Sequence, residues 1–461
     1  RNGIERIYMA KTKSPDMTKG NITAQLLLFF FPILLGTFFQ QLYNTADAVI
    51  VGQNVGKLGL AAVGGTTSTL INLFIGIFVG LSSGFSVIIS QHFGAKNHKL
   101  VSECVHTAIM FSLIVGIVVS ILGAIFSKTM LSYMNVPEDI MPMAIPYLQI
   151  YFLGLAPNLI YNMGAGLLRA VGDSKTPLIF LIISCFINII LDILLIKYIG
   201  MGVVGAAVAT VTSQVVSAIL VIVVLSRRKD ALRLFIRKLH INFPELRKMV
   251  SIGTAAGMQS AMYTIANILI QASINTLGTD TIAAFTAYGK IDTLFWMTIQ
   301  SLGISVTTFT GQNFGYGNKE RVKKGIIHGM ILSVVITGIV MLLLKLFGRS
   351  IYTLFTNDKS VLDIGTDMLN FMVVAFPTYI TIEIFSGSLR GIGDSWIPMI
   401  MTASGVCVLR IAWIIVMVPK YPNIFTILWA YPLSWVTTSI LFIIYMFLFS
   451  KMRRWLKDNI Y

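Results

Sequence analysis

Apolar runs long enough to cross a lipid bilayer recur along almost the whole chain. A transmembrane helix needs about 20 predominantly apolar residues, and we find twelve such runs, separated by short polar or Gly-, Pro- and Asn-containing connections. Hydrophobic residues make up 56% of the chain and charged residues only 12%, which excludes an ordinary soluble protein. We therefore predict an all-α polytopic membrane protein with twelve transmembrane helices, at residues 23–51, 59–91, 100–126, 141–169, 176–199, 202–226, 248–276, 281–312, 323–347, 363–389, 397–419 and 425–450.

The Lys and Arg residues lie mainly on one side of the predicted spans. If the N-terminus is cytoplasmic, the tails and the connections on that side hold 26 of the 35. This asymmetry is the positive-inside pattern, so the formal charge of +16 needs no nucleic-acid partner. We expect a multi-pass protein of the cell membrane with both termini cytoplasmic, surrounded by lipids. The first apolar run is too long for a cleaved signal peptide, so we expect it to remain as a helix.

Two segments of the sequence are written twice at a constant spacing. GLLRAVGDSKTP at 166–177 returns 221 positions later as GSLRGIGDSWIP at 387–398. QHFGAKN at 91–97 returns at the same offset as QNFGYGN at 312–318. The chain is therefore predicted to be a tandem duplication of six spans, with pseudo-two-fold-related lobes and the substrate path between them. The predicted organisation is an N-terminal tail at 1–22, an N-lobe at 23–226, a basic linker at 227–247, a C-lobe at 248–450 and a C-terminal tail at 451–461.

The two copies of the first segment each carry one arginine and one aspartate at matching positions. We interpret Arg169 and Arg390 as positive charge on the inner face of the membrane. Asp173 and Asp394 are placed to cap the following helices or to form local pairs. The duplicated segment is therefore predicted to be a structural hinge or cap rather than a duplicated active site.

The connection between the two halves, SRRKDALRLFIRKLHINFPELRK, is densely basic. It is also amphipathic enough to lie along the inner leaflet, where anionic lipids attract Lys and Arg. We predict a membrane-surface linker in preference to a helix that binds a partner.

Ionisable side chains inside predicted spans are costly to bury and by default mark function. The first half holds two acids without an intramembrane base, whereas the second half holds two acids and two bases. The six residues are Asp47, Asp192, Lys290, Asp292, Glu383 and Arg410.

Asp47 and Asp192 would form a binding site for H⁺ or Na⁺ if the fold brings them together. Asn188 precedes Asp192 by four residues and therefore lies on the same helical face, and Thr210 on the next span offers another oxygen. Oxygen ligands suit hard cations such as Na⁺, and the same cluster could hold a proton. No cofactor is expected beyond this coupling ion.

The charges of the second half have two interpretations. Asp292 and Glu383 either contact a cationic substrate or form structural pairs with Lys290 and Arg410. We favour structural pairs, because the charges balance and buried ions need partners.

Several segments together resemble the multidrug and toxic compound extrusion (MATE) family. They are FFQQLYNTADAVIVG in span 1, SQHFGAKN and GQNFGYGN at the ends of spans 2 and 8, and the doubled LRAVGDSKTP and LRGIGDSWIP. The likeness covers roughly residues 20–450 and points to the bacterial multidrug exporters of that family. It implies twelve helices in two six-helix lobes that export organic, often cationic, compounds in exchange for H⁺ or Na⁺.

The resemblance also assigns site residues. In the family's N-terminal lobe, an Asp on helix 1 pairs with an Asn-x-x-x-Asp on helix 5 and a Thr on helix 6. Some members place an acid in the middle of helix 7, and this chain has only amides there, so an ion site of that kind is not supported in the second lobe. The matching positions are Asp47, Asn188, Asp192 and Thr210, and further candidates for the substrate cavity or its support are Gln40, Tyr43, Asn158 and Asn162.

Other functions fit the sequence less well. A lipid-linked precursor flippase or polysaccharide exporter of the same broad superfamily would place several bases in its cavity to hold anionic head groups. Only Lys290 and Arg410 qualify, against four intramembrane acids, which favours cationic cargo. An intramembrane enzyme would need a nucleophile–base or metal constellation, and the spans contain neither. We therefore expect a monomeric efflux antiporter for small organic cations and drugs.

Overall fold

The computed structural model describes residues 16–134, 136–356 and 358–457, and all regular structure within them is helical. The predicted tails 1–22 and 451–461 therefore lie partly outside the described residues. Twelve helical spans follow one another in the predicted order, several of them in two or three parts. They are α1 (Ile22–Asn54), α2 (Lys57–Gly64 and Thr66–Gly94), α3 (His98–Tyr133), α4 (Met141–Leu153 and Leu155–Ala170), α5 (Lys175–Asp192, extended by Ile193–Tyr198), α6 (Gly202–Arg227), α7 (Phe243–Ile274), α8 (Thr279–Gly315), α9 (Lys319–Tyr352), α10 (Lys359–Ala375 and Pro377–Gly391), α11 (Trp396–Thr402, Ala403–Val408 and Leu409–Met417) and α12 (Ile424–Ile444, extended by Tyr445–Phe449).

Length and composition identify up to ten membrane spans among the described residues. Eight spans pass as single helices and two more, α4 and α10, pass as pairs of helices bent by 44° and 49°. The remaining two, α7 and α8, are 32 and 37 residues long but carry more polar side chains. Both line the cavity described below, where polar side chains face away from lipid. The predicted fold class is confirmed.

The QHFGAKN segment and its second copy form equivalent helix–turn–helix connections. After α2 the chain turns through Lys96 with φ of 57°, and after α8 it turns through Gly317 with φ of 80°. The side chain of Asn97 then accepts a hydrogen bond from the backbone N–H of Leu100 at 3.1 Å, and that of Asn318 accepts one from the backbone N–H of Arg321 at 2.9 Å. These asparagines cap α3 and α9 and satisfy backbone donors that the helix leaves unpaired.

The segment that ends α4 is only partly equivalent to the one that ends α10. Both turn through a glycine of positive φ, Gly172 at 92° and Gly393 at 86°. The Asp173 carboxylate accepts hydrogen bonds from the backbone N–H and the hydroxyl of Thr176, at 3.1 and 2.9 Å, so the predicted cap is confirmed there. Asp394 instead accepts a 2.6 Å hydrogen bond from the Tyr445 hydroxyl on α12, which corrects the predicted cap.

The two halves close on each other where α2, α4, α8 and α10 end, which we call the basic end. Gln91 on α2 donates to the backbone carbonyl of Gly391 on α10, and Gln312 on α8 donates to the carbonyl of Ala170 on α4, both at 2.8 Å. Donors and acceptors match at the offset of 221 residues. Each half therefore makes the same contact with the other, and we call this pair the reciprocal glutamine contact.

Glycines bring α2 and α7 together backbone to backbone. A Cβ added to Gly80 would fall against the backbone of Gly257, and one added to Gly84 against the backbone of Gly253. Small residues at such positions let membrane helices approach closely. One helix of each half thus packs directly on the other, beside the cavity between the halves.

The first helix belongs to the hydrophobic cores of both halves. Leu26, Phe29 and Phe30 in its first turns are buried in the core of the second half, whereas Val51 near its end is buried in the core of the first half. Pro32 lies near the end of the first region, just before the buried Ile33, and it removes one backbone hydrogen bond there. α1 therefore joins the two cores, as α7 does through Ile252 and Ile270.

The basic linker is mostly non-helical between α6 and α7. Only Ile236–Lys238 is helical there, and Leu232 and Leu234 are buried, with 1% and 3% exposed. The backbone N–H of Phe235 donates to Nε2 of His106 on α3 at 3.1 Å. The linker therefore docks on α3 through backbone hydrogen bonds, and its location along the inner leaflet stays a prediction.

The glycine contact between α2 and α7 should be intolerant of a single methyl group. Gly84→Ala should lower the free energy of unfolding by about 1–3 kcal/mol, the usual cost of overpacking, measured as thermal unfolding of the detergent-solubilised protein. Gly338→Ala is the matched control, because its added Cβ meets nothing within 4 Å. Equal stability of the two variants would contradict the backbone contact.

Candidate cation site and central cavity

Three helices of the first half bring the four predicted cation-site residues together. Asp47 lies on α1, Asn188 and Asp192 on α5, and Thr210 on α6. The Thr210 hydroxyl donates to Oδ2 of Asp47 at 3.2 Å, and Nδ2 of Asn188 lies 3.5 Å from the Thr210 oxygen. The carboxyl groups of Asp47 and Asp192 face each other. All four side chains are buried, with at most 7% exposed.

The oxygen atoms of this cluster fit a small cation. Oδ1 of Asp47, Oδ1 of Asn188 and both carboxyl oxygens of Asp192 receive no hydrogen bond within the described ranges. Buried oxygens of this kind are costly unless they are paired. A proton held between the two carboxyl groups, or Na⁺ bound by the free oxygens, would satisfy them. We call these four residues the acidic cluster.

Tyrosines surround the acidic cluster on the side of α4. Tyr147 and Tyr151, 5% and 6% exposed, have ring centroids 6.1 Å apart and lie near the carboxyl groups. Tyr43, a predicted candidate, is half-buried on α1 beside Gln40. Sequence reasoning missed Tyr147 and Tyr151, although their spacing of four residues in PYLQIY places both on one helical face.

The predicted candidates on α4 pair with each other rather than with the acidic cluster. Nδ2 of Asn162 donates to the backbone carbonyl and to Oδ1 of Asn158, at 2.9 and 3.0 Å. The pair follows the bend between Leu153 and Leu155. On α2, Ser82 donates to the carbonyl of Asn162 at 2.7 Å. These contacts give the asparagines a structural role in the bent helix.

The charges on α8 and α11 are held by aromatic side chains. Asp292 accepts hydrogen bonds from the hydroxyl of Tyr288 at 2.9 Å and from the indole N–H of Trp296 at 2.6 Å. The guanidinium of Arg410, 2% exposed, lies over the ring of Tyr431 at 4.2 Å. Cation–π contacts of this kind stabilise a desolvated cation.

The predicted ion pairs of the second half are not present in the described residues. No Lys or Arg lies within 4 Å of Asp292 or Glu383 there. Lys290 is exposed on the outer face of α8, while Arg410 is engaged with aromatic rings. The expectation was wrong because it only counted the charges in each span. Which charges face each other depends on how each helix is rotated about its axis, and a count does not include that rotation.

A cavity of about 210 Å³ lies between the two halves. Its walls come from α2, α4, α7, α8 and α10. Glu383 is its only acid in the described residues, and the Tyr379 hydroxyl lies 3.5 Å from that carboxylate. Tyr263 and Tyr379 are linked through their hydroxyls at 3.0 Å. Besides these three residues, polar lining groups include Gln259, Gln300, Thr307 and Thr308.

The same cavity is lined by Arg169 and Arg390. Sequence analysis placed both arginines on the inner face of the membrane, as part of a structural turn. In the structure each is the last residue but one of its helix, and its side chain lines the space between the halves. The bases of the cavity are therefore these two, and not the predicted Lys290 and Arg410.

A duplicated bundle of twelve membrane-spanning helices, enclosing a polar cavity between its halves, defines a polytopic membrane transporter. The family model described as MatE matches the chain twice, at residues 32–194 and 255–416, once in each half. The chain therefore belongs to the MATE family, whose members are multidrug and toxic compound efflux transporters and not enzymes.

Relatives and solved structures extend this assignment over most of the chain. "Probable multidrug resistance protein YoeA" of Bacillus subtilis is 28% identical over 392 residues, 84% of either chain. The "FAD transporter" of Shewanella oneidensis is 25% identical over 359 residues, covering 76% of this chain and 77% of the relative. The structure of a MOP superfamily transporter from Pyrococcus furiosus, described as having a binding pocket of reverse polarity, superimposes with a TM-score of 0.89 at 23% identity, over 97% of this chain and 100% of that one.

The two bases predicted in the second half should differ sharply when replaced. Arg410→Met should lower the free energy of unfolding by about 2 kcal/mol, the scale of a desolvated cation–π contact, whereas Lys290→Met should change it by less than about 0.5 kcal/mol, as for most surface substitutions. Thermal unfolding in detergent measures both. A loss of stability in Lys290→Met as large as that in Arg410→Met would contradict the exposed position of Lys290.

Proposed function

We propose that the protein is a secondary active multidrug antiporter that exports organic, mainly cationic, compounds in exchange for H⁺ or Na⁺. The acidic cluster carries this proposal, because it offers free buried oxygens without a basic partner among the described residues. The names of the bacterial relatives as probable multidrug resistance proteins support the cargo class. The basic end faces the cytoplasm on this proposal, since Lys and Arg favour that side, and the protein acts as a monomer in the cell membrane.

Cation binding is coupled to the rest of the molecule through α1. Asp47 on α1 and Asp192 on α5 repel each other when both are charged, and a bound cation removes that repulsion. The first turns of α1 are embedded in the core of the second half. A change in how α1 sits on α5 is therefore transmitted to the opposite half, which alternating access requires.

The exchange cycle follows from this coupling. Facing outward, the acidic cluster takes up the cation, α1 and α5 shift, and affinity for the drug falls. Facing inward, the cation leaves and drug binds again. Two carboxyl groups allow two cations per monovalent drug, which moves one net charge inward and gains about 2.3 kcal/mol at 100 mV.

The cavity offers one end suited to organic cations. Glu383 supplies the negative charge, and Tyr263 and Tyr379 supply aromatic faces beside it. Aromatic faces attract cations and tolerate varied shapes. The Shewanella relative is named for FAD, whose pyrophosphate is anionic, so cargo among such relatives is not confined to cations.

Asp47→Asn should abolish ethidium export driven by an imposed cation gradient, because the amide cannot take up a proton or balance Na⁺. Everted vesicles are loaded under either a pH gradient or a Na⁺ gradient, and the gradient that drives the wild type identifies the coupling ion. Asp367→Asn, at an exposed position on α10, is the matched control and should export normally. Unimpaired gradient-driven export by Asp47→Asn would remove the acidic cluster from the mechanism.

Thr210→Val should weaken cation uptake without abolishing transport. A hydrogen bond to a charged group contributes about 1.5 kcal/mol, so the cation concentration for half-maximal export should rise about tenfold. Thr212→Val is the control on the same helix, because its exposed hydroxyl bonds only to the carbonyl of Val208. Identical cation dependence of the two variants would show that Thr210 does not support the site.

A further inference from the structure

We propose that Arg169 and Arg390 form an anion subsite at the basic end of the cavity, which takes a carboxylate or phosphate group of the transported compound. The inference rests on the proposed function, since it assigns a part of the same transport cavity. It adds a second recognition element, of opposite charge to Glu383, and so extends the cargo to compounds that carry an anionic group.

The first argument is that neither guanidinium group forms a direct ion pair within the described residues. Arg169 is half-buried and makes no hydrogen bond or ion pair that the described residues supply. Arg390 donates only to the hydroxyl of Ser386, at 3.4 Å. Arginine in the interior of a membrane protein is normally paired. Two arginines that line a cavity without a direct ion pair in the described residues are therefore suited to an anionic ligand.

The second argument is that the nearby acids are engaged elsewhere. Asp173 follows Arg169 in the chain, yet it binds Thr176 and lies 3.3 Å from Arg228. Asp394 accepts from Tyr445. Of the described residues that line the cavity only Glu383 is acidic, and it precedes Arg390 by two helical turns, about 10 Å along the axis. The basic end of the cavity therefore carries net positive charge.

The third argument is that the arginines come from opposite halves at equivalent positions. Arg169 on α4 and Arg390 on α10 match at the offset of 221 residues and approach one cavity from two sides. Guanidinium groups bind carboxylates and phosphates through paired N–H donors. A single oxyanion between them would therefore contact both halves of the transporter.

This position also explains why the subsite matters for transport. Immediately beyond the arginines, the reciprocal glutamine contact closes the basic end, with Gly391 following Arg390 and Ala170 following Arg169. An anionic group held by both arginines would offset their mutual repulsion next to this closure. Occupancy of the subsite is thereby linked to closing of the basic end.

A matched pair of dyes tests the anion subsite directly. Rhodamine 6G is an ethyl ester, and its free acid differs only in carrying a carboxylate in place of that ester. Binding of each dye to the purified, detergent-solubilised protein is measured by fluorescence anisotropy. The wild type should bind both, whereas Arg169→Gln and Arg390→Gln should weaken binding of the acid about tenfold or more, as for loss of a charged hydrogen bond, and leave the ester unchanged.

Two further variants separate recognition from structure. Arg169→Lys keeps the charge and should restore part of the affinity for the acid. Arg349→Gln removes an exposed arginine that pairs with Asp363 and should affect neither dye. Equal losses for both dyes would show that the arginines support the fold only. Unchanged binding of the acid in both glutamine variants, or failure of the wild type to bind it within tenfold of the ester, would overturn the proposal.

The dye experiment and the antiport experiment fail independently. Dye binding at equilibrium needs no ion gradient. If no variant lost gradient-driven export, the proposed function would be overturned and the anion subsite would stand. Conversely, if the free acid did not bind as expected but ethidium export still depended on Asp47, the anion subsite would be overturned and the proposed function would stand.

Discussion

The cost of burying a charge in a membrane interior organises this molecule. The second half resolves that cost internally for two of its charges, because Asp292 is held by Tyr288 and Trp296, and Arg410 lies over Tyr431. The first half leaves it unresolved, because its two acids have no basic partner in the described residues. Buried acids without a basic partner, such as Asp47 and Asp192, are expected of a site that binds and releases an ion.

Duplication explains where the halves agree and where they diverge. The contacts that join them are symmetric, from the capped turns at Asn97 and Asn318 to the reciprocal glutamine contact. The polar positions on α4 and α10 are not symmetric, since Asn162, which pairs with Asn158, corresponds at the same offset to Glu383, which lines the cavity. Symmetry was thus retained where two lobes must close on each other, and lost where one lobe acquired a specific ligand group.

The sequence was sufficient for properties that depend on composition and spacing along one helix. It predicted the twelve spans, the duplication and the grouping of Asn188 with Asp192. It was insufficient for properties that depend on helix rotation and tilt. Lys290 was counted as an interior charge but is exposed, and Arg169 was assigned to a structural turn although its side chain lines the cavity. The docking of the linker on α3 was also beyond the sequence, because it involves partners more than 100 positions away.

The placement of α1 bears most directly on how ion binding could move the lobes. A helix confined to one core would pass a local change in the acidic cluster only to its own neighbours. Here the turns around Phe29 and Phe30 are fixed in one core and the turn at Val51 in the other, with Asp47 just before the second anchor. Pro32 lies near the end of the first anchor and lowers the cost of bending there. On the proposed function, cation binding at Asp47 therefore acts on a helix that is packed into both halves.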